Sequence, residues 1–247
     1  MYMINLSAIS TLPPDSVDKD DIEKATDKYV DRLGDLQKVL RAEQKHAVLV
    51  VFQGMDGSGK DGAVKKVFKE CHPDGISTYS FKKPTDEEFA HDFLWRVHKQ
   101  APQRGHIKIF NRSHYEDILI QRVHKWIDED RVNQRMAAIN AFEQLLTFDN
   151  HTLVIKFYLH LSKAQQALEL QERLDDPEKN WKHNANDWKE RELWDDYMRC
   201  YEDAINKSAI PWTIVPVDER WYRDYIVSKT LVEALESLNM KYPRISR

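Results

Sequence analysis

The chain has 247 residues, of which 41% are apolar and 32% charged, and this balance excludes a globally disordered protein. No apolar run approaches the ~20 residues of a membrane-spanning helix, and the first residues lack the basic start and apolar stretch of a secretory signal. The net charge of −4 disfavours a general nucleic-acid binder of the basic kind. We expect a cytoplasmic protein with no membrane or nucleic-acid partner, whose two cysteines, Cys71 and Cys200, stay reduced.

The spacing of apolar residues predicts strands and helices in alternation. Residues 1–17 are expected to form a loosely held arm. The predicted strands are 47–53, 76–81, 106–110, 151–160 and 212–217. The predicted helices cover 18–43, 85–99, 113–126, 131–148 and 221–238, with two more beginning near 59 and 162. This alternation predicts an α/β fold, with a parallel sheet covered by helices on both faces.

Glycine is scarce in this chain and is concentrated in one loop. Four of the seven glycines lie within residues 54–62, which begin with GMDGSGK. The segment matches the phosphate-binding pattern G-x-x-x-x-G-K and lies between a strand and a helix, as that motif requires. Its backbone N–H groups and the helix N-terminus favour an anion, and Lys60 adds a positive charge. We interpret the segment as a phosphate site; a purely structural glycine turn is the alternative.

The residue after Lys60 departs from the usual pattern. Ser or Thr, whose hydroxyl binds Mg²⁺, is expected there, but the residue is Asp61. Asp56, inside the loop, is the candidate Mg²⁺ ligand instead, because Mg²⁺ prefers carboxylate oxygens and water. The alternative for Asp56 is a side-chain turn that stabilises the loop.

The segment FNRSHYED, residues 110–117, follows the third predicted strand. Ligands of open α/β sheets bind outside the carboxyl ends of the strands, so Arg112 is expected near the phosphate loop. Its planar fork suits phosphate oxygens. Glu116 is a candidate metal or nucleotide contact, or it forms a helix-capping box with Ser113. Arg122, further along the same predicted helix, is expected to reach inward.

Two further groups of basic residues are candidate phosphate contacts. Lys82 and Lys83 follow the second strand and extend a basic track for an elongated polyanion, or they are ordinary surface lysines. Residues 171–192 contain 12 charged residues in 22, which predicts a helical hairpin. This hairpin is either a solvated surface element or a mobile lid over an anionic site. The candidate contacts in it are Arg173, Lys179, Lys182 and Arg191.

Several segments in order resemble the polyphosphate kinase 2 family, from about residue 45 to about residue 238. They are GMDGSGKDG, SFKKPTDEEFAHDFLWR, FNRSHYED, LQERLDDPEKNWK and VPVDERWYRDYIVSK. The resemblance implies a P-loop kinase fold with a helical lid at about 171–192. In this interpretation the sheet has five parallel strands, and an arm and helix over 1–44 precede the kinase core over 45–247.

The resemblance also implies an activity. It is the reversible, Mg²⁺-dependent transfer of a phosphoryl group between inorganic polyphosphate and nucleotides, from AMP to ADP and from ADP to ATP. Guanine nucleotides, GDP and GTP, are further candidate substrates, and a homodimer or homotetramer is expected. Many family members carry aspartate where this chain has Asn111, and the neutral residue resembles the members that accept monophosphates as well as diphosphates.

The same resemblance assigns roles to individual residues. The expected catalytic residues are Asp56, Lys60 and Arg112. The expected metal ligands are Asp56, Asn111 and Glu116. The expected nucleotide contacts are Asn111, Arg112, Tyr115, Glu116 and Arg122. The expected phosphate and polyphosphate contacts are Gly57, Ser58, Gly59, Lys60, Asp61, Lys82, Lys83, Arg173, Lys179 and Lys182.

Two other functions remain open on the sequence. The first is an ATP-donor kinase for a nucleotide or another small molecule, because a fold does not choose the phosphoryl donor. The absence of Ser or Thr at position 61 weighs against it. The second is a non-catalytic sensor of nucleotide or polyphosphate. The combination of Asp56, Lys60 and Arg112 weighs against a sensor, since binding alone does not need a transfer apparatus.

Overall fold

The computed structural model describes residues 3–244 of the chain. Its strands are β1 Ala47–Gln53, β2 Ile76–Tyr79, β3 Ile107–Asn111, β4 Thr152–His160 and β5 Trp212–Pro216. In this described range the five strands form one parallel sheet in the order β2-β3-β1-β4-β5. The predicted fold class, a five-stranded parallel α/β sheet flanked by helices, is confirmed.

Helices cover both faces of the sheet. They are α1 Lys19–Glu43, α2 Lys60–Val67, α3 Asp86–Phe89, α4 Trp95–His98, α5 Ile120–Val123, α6 Glu129–Asn150, α7 Lys163–Asp175, α8 Ala185–Glu192, α9 Trp194–Lys207 and α10 Arg220–Glu236. Alternate residues of β1 divide the core into two layers. Val48 and Val50 pack with α1, α2 and α10, whereas Leu49 and Val51 pack in the layer of α6 and α9. Burial on both faces explains why β1 is apolar throughout.

The register of the central strands places two loops side by side. Phe52 of β1 is paired with Asn111 of β3, and Gln53 is paired with Tyr158 of β4. Because all these strands are parallel, the loop after β1 and the loop after β3 leave the sheet at the same edge. This edge carries the candidate site.

Two predicted helices are broken into short pieces. The segment predicted as one helix over 85–99 forms α3 and α4, although the predicted capping box between Thr85 and Glu88 is present. The Asp92 side chain accepts a hydrogen bond from the Leu94 N–H (2.9 Å), and such a local bond competes with helix continuation.

The second helix that is not continuous is the one predicted over 113–126. The structure has a 3-10 turn at His114–Asp117 followed by α5. His114, Tyr115 and Asp117 all make buried side-chain bonds to distant parts of the chain. Here tertiary contacts outweigh the local helix preference.

One long helix, α9, is absent from the sequence-based expectations. Its buried face includes Trp194, Tyr197, Tyr201 and Ala204, at helical spacing, so the signal is present in the sequence.

The N-terminal arm is held more firmly than predicted. Within the described residues, Leu6 is buried, the Ile4 N–H donates to Asn206 Oδ1 (2.7 Å) and the Thr11 hydroxyl donates to Asp218 Oδ2 (2.7 Å). The expectation of a loose arm is therefore wrong from residue 3 onward, and residues 1 and 2 lie outside the described range. Among residues 3–244, none of the helices combines the length and the apolar character needed to cross a bilayer.

Candidate active site

The phosphate loop runs from Gly54 to Gly59, between β1 and α2. Gly57 has φ of +90° and Gly59 has φ of +80°, in the left-handed region that glycine adopts without steric cost. Gly59 is the N-cap of α2 and has no side chain to cap the helix. The first N–H groups of α2 therefore lack a side-chain partner and suit an anion.

Lys60, the first residue of α2, is folded back over this loop. Its ammonium donates to the carbonyl oxygens of Gly54 (2.8 Å) and Met55 (3.1 Å) and to Ser58 Oγ (3.4 Å). Burial disfavours the cation and lowers the pKa of Lys60 to about 8, although the charge of Asp56 opposes this shift. The loop thus keeps one buried cation beside its N–H groups.

Arg223 of α10 supports the loop, and sequence reasoning did not single it out. Its guanidinium donates to the Gly59 carbonyl (3.1 Å) and is paired with Asp224 (2.7 Å). A Cβ atom at Gly59 would overlap this guanidinium. The residue lies in the segment VPVDERWYRDYIVSK, but its contact spans 164 positions of the chain and no local pattern indicates it.

Gly59→Ala is expected to lower the free energy of unfolding by about 2 kcal/mol, because alanine is strained at this φ and displaces Arg223. The matched control is Gly62→Ala, inside α2 and without a positive φ, where alanine is expected to be neutral or to stabilise by up to ~1 kcal/mol. Denaturant unfolding of both variants measures the difference. Equal stabilities would show that the Gly59–Arg223 packing does not matter.

Arg112 and Asp56 join the loop after β3 to the phosphate loop. Arg112 directly follows β3, and its guanidinium forms an ion pair with the Asp56 carboxylate. Burial opposes the ionised form of Asp56, but the charges of Arg112 and Lys60 outweigh it and hold the pKa of Asp56 below its ordinary value. Arg112 has φ of +64°, a conformation that non-glycine residues adopt at a cost of about 1 kcal/mol or more. The sequence prediction that Arg112 lies near the phosphate loop agrees with this arrangement.

Asp61, in the place of the usual hydroxyl residue, connects three elements. It accepts a hydrogen bond from the Asn111 amide nitrogen (2.6 Å) at the end of β3. The Lys182 ammonium, in the segment between α7 and α8, lies 3.6 Å from its other oxygen. Asp61 therefore links α2 to the site loop, which we define as residues 111–117, and to the predicted lid.

Glu116 faces the same region from the site loop. In one orientation, the Gln53 amide oxygen accepts hydrogen bonds from the Ser113 N–H and hydroxyl. Its nitrogen then donates to Glu116 Oε1 (3.0 Å). Burial raises the pKa of Glu116, and the charges of Arg112 and Lys60 only partly offset this. The Ser113 side chain accepts a hydrogen bond from the Tyr115 N–H and so caps the 3-10 turn. Ser113 is therefore a cap, as predicted, but of a 3-10 turn rather than of an α-helix.

A cavity of about 1020 Å³ opens beside Arg112 and Glu116. Its wall combines cationic and aromatic side chains, among them Lys82, Lys83, Arg131, Arg135, Phe89 and Trp126. Lys82 and Lys83, predicted to contact polyphosphate, thus share a wall with residues predicted to contact nucleotide. Phe89 and Trp126 are 61% and 67% exposed, so their rings are accessible to a ligand.

Two residues predicted to contact nucleotide point elsewhere. The Tyr115 side chain is fully buried and bonds to Glu143 (3.0 Å), so its ring has no surface for a ligand. Arg122 is paired with Asp203 (2.7 Å) and Glu129 (2.5 Å) and is absent from the cavity wall. Neither side chain faces the cavity in this arrangement, and their roles as nucleotide contacts stay predictions.

The segment predicted as a lid comprises the end of α7, a 3-10 turn at Asn180–Lys182 and α8. Arg173 is paired with Asp187 of α8 (2.7 Å), and Lys179 is paired with Glu172 (2.6 Å). The charge of Arg173 also helps to lower the pKa of Asp56. Asp187 was not among the predicted residues; burial and the charge of Asp56 raise its pKa.

The residues present fit one mode of magnesium binding. In the described part of the chain, His, Cys, Asp and Glu do not gather in any group of three or more that would hold a metal by itself. Mg²⁺ commonly uses one or two carboxylates together with substrate phosphates and water. Asp56 is ionised, Glu116 is close to Arg112, and the Asn111 amide oxygen is not needed for the bond to Asp61. This donor set suits a Mg²⁺ ion that arrives with a phosphate substrate.

Comparison with known proteins shows the family of the chain. The family model described as Polyphosphate kinase 2 matches residues 16–243. A Meiothermus ruber protein named AMP/ADP-polyphosphate phosphotransferase is 47% identical over 216 residues, 86% of this chain and 80% of that protein. A Rhodopseudomonas palustris protein named ADP-polyphosphate phosphotransferase is 43% identical over 229 residues, 87% of this chain and 79% of that protein.

A solved structure described as polyphosphate kinase 2 from Arthrobacter aurescens TC1 superimposes with a TM-score of 0.95 at 39% identity. The superposition covers 99% of this chain and 89% of that one. The similarity therefore extends over the arm, the sheet, the phosphate loop and the predicted lid. The chain belongs to the polyphosphate kinase 2 family.

Proposed function

We propose that this chain transfers phosphoryl groups between inorganic polyphosphate and nucleotides, and that it accepts both AMP and ADP. One observation carries the proposal: the phosphate loop with Lys60 and the 1020 Å³ cavity meet at the Arg112–Asp56 ion pair. A phosphoryl donor on one side of Arg112 and an acceptor on the other satisfy the geometry of a direct transfer. The relatives named for AMP/ADP and for ADP support this substrate class.

We assign polyphosphate to the phosphate loop and nucleotide to the cavity. The loop residues Gly57, Ser58 and Gly59 and the Lys60 ammonium bind the terminal phosphates of the chain in this assignment. The cavity is large enough for a nucleotide, and its cationic wall suits the nucleotide phosphates. Its exposed aromatic rings suit a base. Lys82 and Lys83 then neutralise the nucleotide phosphates and leave polyphosphate to the lid residues Arg173, Lys179 and Lys182.

The chemistry requires little covalent help from the protein. An anionic oxygen of the nucleotide's terminal phosphate attacks the terminal phosphorus of polyphosphate and forms a new P–O bond. The bond from that phosphorus to the bridging oxygen breaks, and the shortened chain leaves with the electron pair. No general base is needed, because the attacking oxygen is already ionised. Lys60 and Arg112 stabilise the charge that develops on the transferring group.

We propose Mg²⁺ as the cofactor, held by Asp56 with Glu116 and Asn111. When bound, it would neutralise phosphate charge during transfer. Arg112 keeps Asp56 ionised and oriented in its absence. Closure of the lid, residues 171–192, would exclude water and suppress hydrolysis of the donor.

Three further expectations remain proposals. The aromatic part of the cavity wall supports guanine nucleotides as additional substrates, since every base has a face that stacks. Leu145 and Phe148, which are 39% and 70% exposed on α6, support a homodimer or homotetramer. The free thiols of Cys71 and Cys200 support a reducing cytoplasmic location.

A nucleotide time course tests the proposed function. Purified protein is incubated with Mg²⁺, polyphosphate and either AMP or ADP, and the nucleotides are separated by chromatography. We expect ATP from ADP, and ADP followed by ATP from AMP, only when polyphosphate is present. A parallel sample with ATP as the donor to AMP separates this function from an ordinary kinase. Nucleotide binding without any turnover would indicate a sensor and overturn the proposal.

Asp56→Asn is expected to raise the Mg²⁺ concentration required for half-maximal activity by about tenfold, because a neutral amide is a weaker ligand than a carboxylate. The matched control is Asp27→Asn, a surface carboxylate paired with Lys66 of α2, which is expected to leave the titration unchanged. Initial rates measured across a Mg²⁺ series give both values. Superimposable titrations of the Asp56 variant and the wild type would remove Asp56 from the metal site.

The buried Lys60 predicts a pH dependence. Its pKa of about 8 means that the free enzyme loses this cation as the pH rises through 8. We therefore expect kcat/KM for polyphosphate to fall above about pH 8, whereas kcat falls at a higher pH because bound phosphate favours the cation. Lys82→Ala, which alters the cavity wall, is expected to show the same fall of kcat/KM with rising pH as the wild type. A flat kcat/KM profile up to pH 10 would contradict the role of Lys60 in binding.

A further inference from the structure

A buried ion pair lies behind the site loop and has no part in the mechanism above. Glu143 of α6 and Lys156 of β4 are both fully buried, and their charged atoms are 2.7 Å apart. Neither residue lines the cavity. We call them the buried pair. Two charges this deep in a core need an explanation, because taking them out of water is costly.

The buried pair bonds directly to the site loop. The Lys156 ammonium donates to Tyr115 Oη (2.7 Å), and Tyr115 Oη donates to Glu143 Oε1 (3.0 Å). His114 Nε2 lies 3.3 Å from the same carboxylate oxygen. Two consecutive residues of the loop are therefore anchored to one carboxylate, from the side of the core.

The neighbours of these anchors are the residues that face the site. Arg112 and Glu116 flank His114 and Tyr115 in the chain, and both line the cavity. Arg112 also keeps φ of +64°, a conformation that persists only where the surroundings determine it. His114 and Tyr115 thus face the core, whereas Arg112, Glu116 and Asp117 line the cavity, and the core side holds the polar anchors.

Stability alone does not account for the buried pair. Apolar residues of similar volume often replace a buried ion pair with no loss of stability. The pair therefore contributes to the orientation of its neighbours rather than to the free energy of unfolding. We propose that Glu143 and Lys156 are positioning residues, which hold His114 and Tyr115 so that Arg112 and Glu116 face the reacting phosphates. This inference rests on the proposed function for its kinetic consequences, but the position of Arg112 can be measured without turnover.

The test replaces both charges at once, with the double variant Glu143→Met and Lys156→Met, so that no unpaired charge stays buried. We expect the double variant to fold and kcat to be reduced about tenfold or more, since a small displacement of a transfer group is costly. KM for polyphosphate is expected to change less than kcat, because Lys60 and its bonds to the phosphate loop are not altered. Tyr115→Phe is the milder second variant; it removes only the hydroxyl and is expected to lower kcat with the same KM.

A matched control separates positioning from general loss of packing. Gln37 of α1 is also fully buried, and its amide bonds to the His72 backbone on the other face of the sheet. Gln37→Met removes buried polar bonds without contact to the site loop. We expect it to lower the melting temperature and to leave kcat unchanged. A double variant with wild-type kcat at an equal or higher melting temperature would overturn the proposal.

Coupling to Arg112 gives the second readout. In an Arg112→Lys background, the double variant is expected to lower kcat by a clearly smaller factor than in the wild type, because one of the two residues that it positions is already replaced. A full, multiplicative loss would overturn the proposal.

The Arg112 Nε–H signal in a ¹⁵N NMR spectrum, identified by its loss in Arg112→Lys, is expected to shift in the double variant and not in Gln37→Met. An unshifted signal overturns the proposal even if the wild type transfers no phosphate, whereas wild-type inactivity alone counts against the proposed function.

Discussion

Lys60→Ala is expected to lower kcat for polyphosphate-dependent phosphorylation of ADP by about 10³-fold, the loss typical of a preorganised charge at a developing anion. The side chain is buried and donates to the carbonyls of Gly54 and Met55, so water does not replace it easily when it is removed. Initial rates at saturating ADP and polyphosphate measure the effect.

The control for this variant is Lys65→Ala, which removes an exposed lysine from the same helix, one and a half turns further on. We expect its kcat to stay within twofold of the wild type, in keeping with the small effect of solvated charges. Circular dichroism of both variants checks that α2 is formed. Near-normal turnover of folded Lys60→Ala would end the phosphate-loop mechanism.

Arg112→Ala and Arg112→Gly are both expected to lower kcat by about 10²-fold or more, because each removes the guanidinium beside Asp56. The two variants should differ in stability. Glycine adopts the φ of +64° without strain, so Arg112→Gly is expected to be more stable than Arg112→Ala by about 1 kcal/mol. Steady-state rates and denaturant unfolding measure the two effects separately.

Arg199→Ala is the control for Arg112, since Arg199 is an exposed arginine in a surface pair with Asp196. It is expected to change neither rate nor stability measurably. A kcat near the wild-type value in Arg112→Gly would show that the guanidinium is not at the reacting phosphates. Equal stabilities of the alanine and glycine variants would show that the loop relaxes around position 112.

Local features of this protein could be predicted because they depend on residues close together in the chain. The apolar run of β1, the glycines of the phosphate loop and the helix after it act within one segment of about 20 residues, and the structure has all three where they were expected. The sheet order adds only the rule that parallel strands end at one edge, and this rule placed Arg112 beside Asp56. The roles of Asp56, Lys60 and Arg112 in transfer stay predictions.

The directions of individual side chains could not be predicted in the same way. Tyr115 points into the core and Glu116 into the site, although the sequence treats them as neighbours on one helix. Tyr115 is bonded to Glu143 and Lys156, which lie 28 and 41 positions away from it in the chain. A continuous helix would have satisfied the local pattern, but it would have left the buried carboxylate of Glu143 without these partners.

Sequence patterns thus determine which segments are buried, where the phosphate loop lies and which family the protein resembles. Tertiary structure alone decides which distant groups meet, as Arg223 meets Gly59 and Lys156 meets Tyr115. The reason is that burial makes an unpaired polar group expensive, so such groups find partners wherever the fold brings them, across any separation in sequence.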